Sequence, residues 1–196
     1  MKKIFVFLVA FTFVLAACRK APKTPFKCDF VKIEEDNFTI VNNDDSPKRP
    51  FNVFCKKVDV FGVYIYATEN VSEIDLLHTA NVMAQYLDND EDSVVDNQLV
   101  LDRMLANQSS MVLFGKENSS KKRKFLRGQN ELEGSFIFQD LYGSEIHPNW
   151  SFNSPFDATL EEVLHLITHS GFSQVYPSVF GEEKGSDIAN AMDKAR

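Results

Sequence analysis

Apolar and polar positions divide this chain into three kinds of stretch. The first is Ile4 to Val14, an uncharged apolar run that follows Lys2 and Lys3. It is too short to span a bilayer comfortably and reads as the core of an export signal over residues 1–17. The second kind is strand-like: Phe38–Val41, Phe51–Cys55, the strongest run Val58–Ala67, then Met111–Phe114 and Ser135–Gln139. These runs are rich in Val, Ile, Phe and Tyr between turn-forming segments. The third kind carries a helical period and predicts helices over 72–87, 97–106 and 157–170, with a last helix starting at Gly185 and Ser186. Asn42–Pro50, the basic stretch Asn118–Gly128 and Val175–Gly181 read as loops or irregular segments.

The expected fold is therefore α+β: one domain in which a mixed β-sheet is covered by helices. The chain divides into a signal at 1–17, a tether and N-terminal arm at 18–50, and the folded domain at 51–196. A length of 196 residues has room for one ordinary domain, and 44% hydrophobic residues with 18 phenylalanines supply a core.

In the helix at 157–170, Leu160, Val163, Leu164 and Ile167 share one face, predicted to be the core face. Glu161, Glu162, His165 and His169 share the other. Thr159 with Glu162 fits a capping box, and Asp157 is a rival N-cap. Gly171 is expected to end the helix in the left-handed conformation.

The net charge of −7 changes the reading of the basic stretch 118–128. Nucleic-acid binding needs access as well as a basic patch, and an exported acidic protein rarely has it, so no nucleic-acid partner is expected. The stretch is read as a surface loop able to meet anionic headgroups or polysaccharide. There is no G-x-S-x-G, phosphate loop or dinucleotide fingerprint.

Leu15-Ala16-Ala17-Cys18 resembles the bacterial lipobox, which implies lipidation of Cys18 and attachment to the cell envelope or outer membrane. Cleavage as a plain secretory signal is the alternative. Five N-x-S/T sequons, at Asn37, Asn70, Asn107, Asn118 and Asn149, where composition alone gives about one or two, keep a secreted eukaryotic origin open. Export means an oxidising compartment, so Cys28 and Cys55 are expected to form a disulfide.

Asp88 to Asp96, read DNDEDSVVD, resembles the D-x-D-x-D-G-x-x-D calcium loop of EF-hands and related extracellular repeats. Calcium takes a ring of hard oxygens, and Asp88, Asp90, Asp92 and Asp96 with the Val94 carbonyl would deliver them. Ser93 stands at the turn-glycine position and Leu99 where an EF-hand has its bidentate glutamate.

The stretch Glu161-Glu162-Val163-Leu164-His165 resembles the H-E-x-x-H helix of the zincin metallopeptidases, with Glu161 in place of the first histidine. Gly185–Asp193 resembles the second helix of the thermolysin-like branch, with Asn190 where that branch has a glutamate. The resemblance implies a zincin-like fold with zinc held by His165 and by Glu161 or His169. Glu162 would be the general base, and the substrate a peptide or protein. His147 is a fallback ligand, and His78 is read as a packed or surface residue. Two functions are expected: a zincin-like metal hydrolase with a structural calcium site, or an inactive relative serving as a calcium-stabilised cell-surface binding module.

Overall fold

The computed structural model describes residues 34–35, 38–44, 50–129, 136–149, 151 and 153–195. The signal segment, Cys18, Cys28 and Asn37 lie outside the described residues. Strands β1 (Glu34–Glu35) and β2 (Phe38–Thr39) pair with each other. Five further strands form a mixed sheet in sequence order: β3 (Val41–Asn42), β4 (Lys56–Val60), β5 (Val63–Ala67), β6 (Ser110–Phe114) and β7 (Phe138–Tyr142). Pairing is antiparallel from β3 to β5 and parallel from β5 to β7. The edge strand β3 comes from the stretch before residue 51.

The run Val58–Ala67, expected as one strand, is the greater part of a hairpin. Val60 pairs with Val63 across a two-residue turn, in which Phe61 has φ 51° and Gly62 φ 89°. Two positive φ values are what a type I′ turn requires, and it matches the twist of the strands it joins. The Gly62 N–H is also held by the Asp59 carboxylate at 2.7 Å. Apolar periodicity runs straight through such a turn, which is why it read as continuous.

Parallel pairing needs crossovers, and the helices supply them. Helices α1 (Glu73–Leu87) and α2 (Gln98–Ala106) join β5 to β6, and α3 (Ser120–Gln129) joins β6 to β7. The α1 helix starts where Ser72 accepts a hydrogen bond from the Asp75 N–H, and α2 where Asn97 accepts from Val100. After β7 come α4 (Ala158–Ile167), a π-type turn (Thr168–Phe172), the short α5 (Ser173–Val175) and α6 (Pro177–Phe180), and α7 (Asp187–Ala195). Among the described residues no helix is long and apolar enough to cross a membrane.

Both faces of the sheet are covered. Val58, Val60, Val63, Ile65, Ala67, Met111, Leu113 and Leu141 face a core with α1, α2 and α4. On the other face Tyr66, Val112 and Phe114 meet Val53, Phe54 and Phe125 in an aromatic cluster. That cluster corrects two expectations. Phe51–Val53 is a single 3-10 turn rather than a strand, and the basic stretch 118–128 is mostly helix α3 rather than loop. Phe125, fully buried among Phe51, Phe54, Phe114 and Phe138, anchors the basic helix to the sheet. One buried aromatic ring outweighs the polarity of the remaining turns.

Two further segments differ from expectation. The strand placed at 135–139 lies at Phe138–Tyr142, and Val175–Gly181 contains α6 rather than irregular backbone. Gly171 does not end its helix. It is buried inside the π-type turn, and a Cβ there would lie 2.7 Å from Val100 Cγ1 and 3.1 Å from Met104 Cγ. Glycine is needed for the close approach of α2, not for a left-handed cap.

Gly171→Ala should destabilise the domain by about 1–3 kcal/mol through overpacking, read as a lower denaturant midpoint. Adding Val100→Ala should recover part of that loss. An unchanged midpoint for Gly171→Ala would show that the α2 contact does not constrain the fold.

Candidate metal centre

The acidic loop leaves α1 at Asp88, which is largely buried. Its two carboxylate oxygens accept from the Asp92 N–H at 3.2 Å and the Ser93 N–H at 2.9 Å. Asp96 accepts from the Asn89 N–H at 2.9 Å, and its own N–H donates to the Leu87 carbonyl at 2.9 Å. Asp92 accepts from the Val94 N–H at 2.8 Å. Glu91 and Ser93 have φ 60° and 70°, so the position expected to hold a turn glycine does adopt the conformation glycine favours.

This folding brings carboxylate oxygens of Asp88, Asp90 and Asp96 within 4.8 Å of one another. Asp90 feels the crowding. The charge of Asp92, then burial, then Asp96 and Asp88 hold its carboxyl above the ordinary value. Leu99 is 61% exposed on α2 and has no ligand to offer. Beside the loop opens a groove of about 660 Å³, lined by Phe38, Phe61, Asn81, Gln85, Asp88 and Glu91 among others.

The histidine helix is placed by Asp157. This residue is 3% exposed and caps α4 by accepting from the Thr159 N–H at 3.2 Å. The same carboxylate accepts from the His147 N–H at 3.1 Å and lies 2.6 Å from His78 Nε2. Burial raises its pKa, but the hydrogen bonds from His78, Thr159 and His147 outweigh that and hold it below the ordinary 3.8. The capping box is not formed: the Thr159 hydroxyl is buried without a hydrogen bond.

The expected core face of α4 is half right. Val163 and Ile167 are buried, joined by Thr159 and Leu166, whereas Leu160 and Leu164 are 42% and 45% exposed. Around the axis the core side is turned toward the small Thr159 and Ser170. These let α4 and the turn after it pack closely, and the two leucines are left outside.

Glu161 and His165 are both exposed, 3.8 Å apart. Glu162, not being used as a cap, points to β7. It accepts a hydrogen bond from Gln139 and lies 3.3 Å from His165 Nδ1. Burial first, and then the charge of Glu162, push the nearby Glu145 carboxyl upward. His169 is not drawn into this group; its Nδ1 is bonded to Glu182. It sits in the π-type turn, where residues four apart no longer stack as they do in an α-helix. Hydroxyls of Ser170 and Ser173 bond back to the carbonyls of Leu166 and His169 along that turn.

Asn190, in the position of the thermolysin-branch glutamate, is exposed on α7 and turns its amide back to the Gly185 carbonyl. Among the described residues, Asp88, Asp90 and Asp96 are the one set of three His, Cys, Asp or Glu side chains whose ligand atoms converge within 4.8 Å. Sequence reasoning did not find Gln139, Glu145 or Glu182, nor the pairing of His78 with Asp157. No local pattern signals a bond across 79 residues. Comparison of the chain with family models, curated proteins and solved structures finds no match.

Replacing Asp157 by Ala strands the His147 and Thr159 N–H donors and should cost about 2–4 kcal/mol. Asp157→Asn keeps a cap acceptor and should cost less. The folded pKa of Asp157 is depressed, so its contribution is present above the ordinary value of 3.8 and lost as pH falls through the folded value. Urea melts over that range should show the wild type losing more stability than Asp157→Asn. Parallel pH profiles would contradict the assignment.

Proposed function

We propose that this protein is an exported, calcium-stabilised binding domain. The loop Asp88–Asp96 holds one calcium ion and thereby fixes one wall of the neighbouring groove, where a partner docks. The observation that carries this reading is the convergence of Asp88, Asp90 and Asp96 with Ser93 in the left-handed conformation. Calcium accepts six to eight oxygens in flexible geometry. Three carboxylates, the second oxygen of Asp92, the Val94 carbonyl and water could supply that number. Without a glutamate at Leu99 the affinity should fall in the weak range of extracellular modules, about 10⁻⁴ to 10⁻³ M. Asp88 and Glu91 line both the loop and the groove, so loading the loop orders the binding surface. Export also implies the oxidised pair Cys28–Cys55, and Cys55 is buried beside β4.

Millimolar calcium should raise the melting temperature relative to chelator, because the ion binds only the folded loop. In chelator, the raised pKa of Asp90 means the folded state holds its proton longer than the unfolded chain does. Stability should then fall as pH rises through that value, the opposite sign to Asp157. Asp90→Asn should abolish both the fall and the calcium response. Equal melts with calcium and with chelator would end this reading.

A second reading rests on a separate observation. Glu162 is free of the helix cap, sits beside His165, and is backed by Gln139 from the parallel edge strand. That arrangement suits a zincin-like hydrolase in which His165 and Glu161 bind zinc. The metal would lower the pKa of its bound water, and Glu162 would take the proton during attack on a peptide carbonyl. His165→Ala should then remove zinc measured by elemental analysis, and Glu162→Gln should keep zinc while losing hydrolysis. Exposed His165 should cost no more than about 0.5 kcal/mol of stability on replacement. Wild-type protein that retains no zinc after dialysis against the metal leaves the binding domain alone.

A further inference from the structure

The five sequons are used by neither reading, and the fold separates them into two kinds. Asn107 ends α2. Its side-chain amide donates to the Ser170 carbonyl at 2.8 Å and to Gln174 Oε1 at 2.9 Å. Both donor positions of that nitrogen are occupied, and the bonds tie α2 to the π-type turn. The hydroxyl of its sequon partner Ser109 is buried. A sugar on this nitrogen would replace one of those two N–H donors, removing one tertiary hydrogen bond, and would wedge the helices apart.

Asn70 and Asn118 are the reverse case. Both are exposed in connecting loops, and among the described residues neither side-chain amide has a hydrogen-bond partner. Asn70 follows β5 and Asn118 follows β6, so both lie at the carboxyl end of the parallel strands. The two loops touch: a Cβ on Gly115 would come within 2.8 Å of the Asn70 Cβ. Lys121 reaches Glu69 at 3.5 Å across the same gap. Asn149 is exposed as well, but Trp150 of its sequon lies outside the described residues, as does Asn37.

We infer that the protein is N-glycosylated at Asn70 and Asn118, giving one end of the sheet a paired sugar cover, and that Asn107 stays bare. At each site Nδ2 forms a glycosidic bond to the anomeric carbon of an oligosaccharide carried on a lipid pyrophosphate. The bond from that carbon to the pyrophosphate breaks, the lipid pyrophosphate leaves, and the amide loses one proton. Three observations support this. The sequence opens with a stretch, residues 1–17, that reads as an export signal. Fourteen asparagines yield five sequons, against about one or two from composition. The folded chain leaves these two asparagines free while engaging the one whose modification it could not accommodate. The inference selects the secreted route over acylation of Cys18. It leaves the groove beside the acidic loop, lined by other residues, open for partner binding. It does not depend on calcium or zinc.

The test uses full-length protein purified from its natural source. Glycosidase release in heavy-oxygen water converts each occupied asparagine to labelled aspartate, which peptide mass spectrometry locates. Label at Asn70 and Asn118 with unmodified Asn107 is the expected result. In a secreting eukaryotic cell line, Asn70→Gln and Asn118→Gln should each remove one step from the gel ladder, and Asn107→Gln none. The peptide map does not depend on whether a variant folds. Bare asparagine at both positions in the natural protein, label at Asn107, or a diacylglycerol-modified Cys18 would overturn the inference.

Discussion

The carboxylate of Asp157 is the point through which the histidine helix is joined to the rest of the domain. It is buried and charged, which is tolerable only because every side of it is hydrogen-bonded. One oxygen faces His78 on α1, and the other takes the N–H groups of Thr159 and His147. Those three contacts belong to three separate segments. Fixing them sets where α4 begins, and how it is turned about its axis follows from what it then packs against. The exposure of Leu160 and Leu164, and the direction of Glu162 toward β7, are consequences of that placement.

A second buried charge does similar work at the opposite edge of α1. Lys56, 1% exposed on β4, donates to the Val71 carbonyl and to Glu73 at 2.8 Å. Burial raises the Glu73 pKa, but Lys56 more than compensates and the carboxyl is held low. Thus α1 is tied to the sheet by an ion pair at its start and to α4 by His78 further along. On the far face Lys122 reaches Asp140 at 2.6 Å and packs over Tyr142, which fastens α3 to β7. Removing Glu73 would be costly because Lys56 is left buried and uncompensated.

The acidic loop is organised on the opposite principle. Its carboxylates accept backbone N–H groups of their own loop, which shapes the turn but leaves like charges facing one another. The loop is therefore a part of the molecule whose geometry brings repulsion rather than relieving it. A bound cation, as proposed, would relieve that repulsion.

What the sequence determined by itself was local. Ser72 and Asn97 cap the helices expected at 72–87 and 97–106, because a cap and a helical period lie within one stretch of chain. The aspartate register likewise folds into its loop, since every contact shaping it spans at most nine residues. The mixed sheet and its covering helices followed from apolar runs of two periods. Tertiary structure alone decided the rest. The type I′ turn at Phe61–Gly62 was hidden because apolar residues stand on both sides of Gly62. Helix α3 exists because Phe125 is buried among rings from distant segments. His169 belongs with Glu182 because a π-type turn breaks the four-residue stacking that sequence spacing assumes. Which side of α4 is core was set by Asp157, His78 and the close contact at Gly171. The contacts of Asp157 with His78 and of Gly171 with Val100 join residues tens of positions apart, and no periodicity along the chain encodes them.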